Sequence, residues 1–278
     1  MATEVTVGDV VVALERRYPP ATAADWDRVG LVVGDPVAPV RRVLCAVDCV
    51  PATVDEALAL DAQLMVVHHP LLLRGVHSVA TTTYKGSLVH RLIRAGVALY
   101  VAHTNADVAE PGVGDALAHR LGLVGVEPLG DETNPGRVGR LERPLTLAEL
   151  TQHVADRLPA TTAGVRAAGD PTRSVRTVAV SGGAGDAYLD VAAARGVDAF
   201  VTADLRHHPA SEHLSGGGPA LIDAAHWATE RPWLDEVARE LRDDLSIETI
   251  VSDLVTDAWT VHASASYAST PSEGNPRP

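Results

Sequence analysis

Short, unbroken apolar runs alternate with amphipathic stretches along most of this chain. RRVLCAVDCV (41–50), LMVV (64–67), VALYVAH (97–103), VDAFVTAD (197–204) and PALIDAAH (219–226) have the continuous apolar character of strands covered on both faces of a parallel sheet. LVV (31–33) is a shorter strand bracketed by Gly30, Gly34 and Pro36. Residues 5–17, 51–63, 84–95 and 112–123 carry apolar positions at helical spacing. This alternation predicts an α/β fold with mixed, largely parallel sheets.

Local signals sharpen several boundaries. Pro19 and Pro20 stop the first helix, and Gly96 closes the one over 84–95. Thr146 followed by Glu149 forms a capping box that opens a helix over 146–158. A second α/β unit begins with VRTVAVSGGAGD, and its helix is YLDVAAARG (188–196). A helix over 231–244 is expected to have Pro232 near its first position. IETIVS and DAWTVHA are candidate further strands, and the polar, Pro/Ser-rich run 264–278 is expected to be a disordered tail.

Composition narrows the class. The chain has 278 residues, 46% hydrophobic and 21% charged, which is ordinary for a globular protein of one large domain or two lobes. A formal charge of −13 opposes broad phosphate-backbone binding, so nucleic acid is not an expected partner. Glu4, Asp9 and Glu15 make the N-terminal stretch unlike a signal peptide. No apolar run approaches the roughly 20 residues of a bilayer span. A cytoplasmic protein with no membrane partner is expected. Cys45 and Cys49, inside VLCAVDCV, read as buried reduced thiols rather than as a disulfide framework.

Three apolar runs lead straight into metal-ligand residues: LMVVHHP (His68, His69), LYVAHTNAD (His103, Asp107) and LIDAAHWATE (His226, Glu230). Ligand sites of open α/β sheets lie outside the carboxyl ends of strands, where all three clusters fall. Imidazole with carboxylate suits Zn, Fe, Mn, Co or Ni better than Ca or Mg. Six ligands exceed what one tetrahedral ion takes. Shared between two divalent ions, with Glu230 as bridge, they leave positions open for water or an anionic small molecule. Such pairs serve hydrolysis.

Other motifs stand near this set. Ser181-Gly-Gly-Ala-Gly-Asp186 is either a tight turn or a loop that contacts phosphate through backbone N–H groups. Asp204, His207 and His208 (TADLRHH) are weak catalytic candidates as acid/base or phosphate contacts, or else solvated loop residues. Trp26-Asp27 reads as a structural corner, and Asp48 as a partner to a ligand or a helix cap.

Taken together, ADWDRVGLVVGDP, VVHHPLL, HTNAD, TADLRHHPA and DAAHWATE resemble the Nif-three-like family, some of whose bacterial members go by the name GTP cyclohydrolase I type 2 homologue. Arg28 stands where the family more often has Asn. The resemblance implies two similar α/β lobes facing a central cleft, taken here as residues 1–125 plus 220–263 and residues 126–219. It implies a dinuclear metal centre on His68, His69, His103, Asp107, His226 and Glu230, and a ring-shaped homohexamer. Some members of the family carry a PII-like domain inserted in mid-chain, and the short stretch between the two halves here points to the short form without it. The open two-metal ligand set points to a metal-dependent hydrolase of a small nucleotide-like or phosphorylated substrate. The alternative is a non-catalytic metal-handling or scaffold protein.

Overall fold

The computed structural model describes residues 4–263, so the expected disordered tail at 264–278 lies outside the described residues. In chain order the first part runs α1 (Val7–Arg17), β1 (Gly30–Val33), β2 (Arg42–Ala46), α2 (Pro51–Ala59), β3 (Leu64–Val67), α3 (Tyr84–Ala95), β4 (Ala98–Val101), α4 (Thr104–Val108) and α5 (Val113–Arg120). It continues through β5 (Val124–Pro128), β6 (Arg137–Thr146), α6 (Leu147–Arg157), β7 (Val165–Ala168), β8 (Ser174–Ala184) and α7 (Leu189–Arg195). It ends with β9 (Ala199–Ala203), α8 (His207–Ser215), β10 (Ala220–Ala224), α9 (His226–Leu245) and β11 (Glu248–Val251).

Side-chain caps set several helix starts. Thr6 and Asp9 bond reciprocally at the head of α1, and Thr146 and Glu149 do the same at α6. Thr83 accepts from the Gly86 amide at the start of α3, which ends at Gly96 with φ +68°.

Two mixed sheets result. The first has strand order β1-β4-β3-β2-β11, parallel except for the β1–β4 pair. The second has order β5-β6-β8-β9-β10-β7, with β8, β9 and β10 parallel and the outer strands antiparallel. The strands alternate between two cores. Val43, Cys45, Leu64 and Val66 face a core shared with α5, α9 and the inner side of the second sheet. Leu44, Ala46, Met65 and Val67 face α2 and α3 on the other side. Ala179, Phe200 and Leu221 pack towards α7 and α8. Helix α9 packs against β2 and β11 of the first sheet and against β8 and β9 of the second.

Four expectations change. Strand β10 hydrogen-bonds to β9 and β7, so residues 220–224 belong to the second sheet and not to the first lobe. Helix α9 starts at His226 rather than 231, which places Pro232 inside the helix. His207 and His208, solvated loop residues on one reading of the sequence, lie in a helix, α8. DAWTVHA forms no strand among the described residues. No helix among the described residues is long and apolar enough to cross a membrane.

Candidate metal centre

His68 and His69 follow the last residue of β3, and His103 follows β4 as the N-cap of α4, the short helix that carries Asp107. His226 is the first residue of α9, directly after β10, and Glu230 lies one turn further on. Both sheets thus contribute strand ends to one place, with Glu230 at its centre. The Nε2 atoms of His69 and His226 each lie 3.0 Å from a Glu230 oxygen, and the two Nε2 atoms are 3.3 Å apart. His68 Nε2 is 3.5 Å from both Glu230 and Asp107. Ligand atoms of His68, His69 and His103 lie within 4.8 Å of one another, as do those of His69, His226 and Glu230.

The other nitrogen of each ring is occupied. His68 Nδ1 donates to the Ala102 carbonyl at 2.9 Å, and His69 Nδ1 to Asp48 at 2.7 Å. His103 Nδ1 donates to Asp27 at 3.0 Å, and His226 Nδ1 to Asp204 at 2.7 Å. These bonds place the proton on Nδ1 and leave Nε2 as the lone-pair donor, the usual preparation of a metal-binding imidazole. His68 Nε2 and Glu230 Oε2 are buried without hydrogen-bond partners among the described residues. Buried polar atoms seldom stay unsatisfied, and a divalent cation would satisfy both at once. The donor set fits such ions.

Charge points the same way. Burial alone would raise the Glu230 carboxyl, but His69, His68 and His226 hold it well below the ordinary carboxylate range. Burial lowers the His226 imidazole, yet Glu230 and Asp204 lift it to about 9, and Glu230 and Asp48 likewise lift His69. The buried carboxylate requires positive charge, supplied by imidazolium protons in the protein alone. A metal ion would compete for the same place and release protons on binding.

Within the glycine run, Gly183 is explained by this cluster. Residues 181–184 belong to β8 and form no turn ahead of a helix. A Cβ on Gly183 would lie 2.5 Å from Glu230 Oε1 and 3.0 Å from His226 Nε2, and the residue has φ +62°. A Cβ on Gly185 would lie 2.0 Å from Thr202 Oγ1. The Gly183 amide donates to Thr229 at 2.9 Å, so it is engaged within the fold.

Asp204 lies at the cluster as the carboxylate that orients His226, and it adopts φ +56°, a strained value for a non-glycine residue. His207 and His208 open α8, and their rings pack edge to face at 5.1 Å. No hydrogen bond or ion pair links either to the cluster among the described residues. Asp27 accepts from both Thr104 and His103, so it positions a histidine as well as forming a corner. Trp26 is exposed and meets the His103 ring edge to face at 6.0 Å. Asp27 and the Ala102 carbonyl carry no sequence pattern that assigns them to a histidine. For Asp48 the strand-end position was the available signal. Cys45 and Cys49 are buried free thiols, and burial pushes both up to about 12.

The fold and cluster define an α/β protein with a histidine–carboxylate site at strand ends. Residues 5–258 match the Duf34/NIF3 (NGG1p interacting factor 3) family, and the chain belongs to it. A Streptomyces coelicolor protein named "GTP cyclohydrolase 1 type 2 homolog" is 52% identical over 277 residues, covering 95% of this chain and 96% of that protein. A Mycobacterium tuberculosis protein of the same name is 36% identical over 370 aligned positions, covering 92% of this chain and 97% of that one. That alignment is longer than this chain's 278 residues, so the relative carries sequence that this chain lacks. The crystal structure of a Bacillus cereus protein related to NIF3 superposes with a TM-score of 0.86 at 23% identity, covering 94% of this chain and 100% of that one. The structure of reduced HcgD from Methanocaldococcus jannaschii gives a TM-score of 0.75 at 24% identity, over 91% and 100% of the two chains. Likeness at these identities shows a shared fold.

Proposed function

We propose that His68, His69, His103, Asp107, His226 and Glu230 hold two divalent metal ions of the Zn, Fe, Mn, Co or Ni class, with Glu230 shared between them. We infer that the centre hydrolyses a small nucleotide-like or phosphorylated substrate. One observation carries this reading. Every histidine of the cluster has its Nδ1 bonded outward, while the Nε2 atoms of His68, His69 and His226 converge on one buried carboxylate. The two overlapping triads supply enough donors for two ions. When bound, such ions supply Lewis-acid polarisation and activation of water. The chain's own contribution is to hold the imidazoles in one tautomer, to keep Glu230 ionised and to shield it from solvent. The names of the relatives agree with a nucleotide-like substrate.

Family membership also supports assembly as a homohexamer. So does strand β5, exposed along its length, paired on one side only, and carrying exposed Val124 and Val126.

The test combines metal content with turnover. Elemental analysis of the purified chain should find two ions per chain. His69→Ala and Glu230→Ala should each lower that content while far-UV circular dichroism stays unchanged. Wild-type metal content in both variants would overturn the ligand assignment. A fully loaded protein inactive on nucleotides, phosphoesters and cyclic amides would leave metal handling as the function.

A further inference from the structure

A cavity of about 470 Å³ opens beside the cluster, and His226 and Asp204 form part of its wall. The rest comes from the loop before β7, from Asp223 on β10 and from the segment after β11, including Asp257, Trp259 and His262. Most of its charged groups are already paired. Arg166 Nε donates to Asp223 at 2.9 Å, and Asp204 accepts from His226.

Asp257 is different. Its Oδ2 is shielded from solvent and has no hydrogen-bond partner among the described residues. Among the described residues its Oδ1 has only a long 3.4 Å contact with the Trp259 amide. Trp259 itself is 70% exposed, a large apolar side chain on the cavity wall. The neighbouring Thr256 donates to Asp48, which holds His69, so this segment is tied directly to the cluster.

We propose that this cavity binds the flat, N–H-bearing heterocycle of the substrate, stacked on Trp259 and donating to Asp257. The anionic arm of the substrate then extends past His226 to the metal centre, and this placement of the arm rests on the function proposed above. A phosphate in the cavity itself is disfavoured by Asp204, Asp223 and Asp257, since its one guanidinium, Arg166, is already paired. A purely aliphatic group would bring no donor to the cavity-lining Asp257 carboxylate. A flat ring with N–H donors meets both requirements, because an aromatic face offers stacking and a carboxylate is a strong acceptor.

Calorimetric titration of the full chain with guanosine, cytidine, caffeine and ribose 5-phosphate tests this. Guanosine and cytidine present N–H donors, caffeine is flat but has none, and ribose 5-phosphate carries only the arm. Guanosine or cytidine should bind at least about tenfold more tightly than caffeine. Asp257→Ala and Trp259→Ala should each weaken nucleoside binding about tenfold, while Trp259→Phe retains most of it. Metal content and ribose 5-phosphate affinity should not change in any of these variants. Trp259 is exposed, so its replacement leaves the core intact. The proposal is overturned if neither nucleoside binds the wild type, if caffeine binds as well as they do, or if the alanine variants bind nucleoside unchanged. The nucleosides need no metal, so a chain without bound metal sinks the metal centre and leaves this test standing. A metal-loaded chain that ignores nucleosides sinks the cavity alone.

Discussion

His69 donates through Nδ1 to one oxygen of Asp48 at 2.7 Å, and the other oxygen of Asp48 accepts from Thr256. One carboxylate therefore fixes the tautomer of a cluster histidine and anchors the segment that follows β11. Removing it should leave the ring free to turn. We expect Asp48→Ala to weaken metal binding about 10- to 100-fold. Thr256→Val should weaken it less, since Asp48 still meets His69. Competition against a chelator of known affinity measures both. Unchanged affinity in Asp48→Ala would show that packing alone orients His69.

Gly183 also borders the cluster. Its φ of +62° disfavours any side chain, and a Cβ there would press on Glu230 and His226. Gly183→Ala should cost about 1 kcal/mol or more of stability, seen as a lower Tm, and should also reduce bound metal. A variant with lower Tm but full metal content would mean that Glu230 moves aside without losing its role.

Far from the cluster, Glu240 is buried against Tyr18, whose hydroxyl donates to it at 3.0 Å, and Arg17 lies 3.2 Å away. Burial pushes this carboxyl above its ordinary value, and the two partners offset only part of that. The folded chain then holds the proton more tightly than the unfolded chain. The resulting stabilisation is present at acid pH and is lost as pH rises through the folded pKa. Glu240→Gln keeps an acceptor for Tyr18 and removes the charge. Its Tm at pH 7 should equal or exceed that of the wild type, and the difference should shrink on approach to about pH 4. A less stable variant at pH 7 would show that the Arg17 pair outweighs the burial.

The inner strands were legible because buried parallel strands are unbroken apolar runs, and LMVV and ALYV occupy the places that pattern gave them. Their polar ends were legible for the same reason, which is why His68, His69 and His103 stood out. The start of α9 was misplaced because Pro232 resembles a first-turn proline, whereas the packing of α9 against both sheets carries the helix through it. The capping box at Thr146 marked α6 to the residue. The partners of the histidines were harder. Asp27 is 76 positions from His103 and Asp204 is 22 from His226, so only the fold brings them together. Asp204 looked like chemistry in its own right because it neighbours two histidines in sequence. Gly183 stands in a run that reads as a tight turn or a phosphate loop, since the Glu230 carboxylate that requires a glycine there lies far along the chain.

The proposed ligand atoms come from residues 68–69, 103–107 and 226–230, spread over more than half of the described chain. No short fragment holds a complete set, so occupancy requires the native topology. An ion that binds only the folded chain stabilises it by mass action, about 2.7 kcal/mol at a hundredfold excess over its Kd. With the proposed ions bound, melting temperature would become a gauge of free-ion concentration, and metal starvation and thermal fragility would turn into one phenotype.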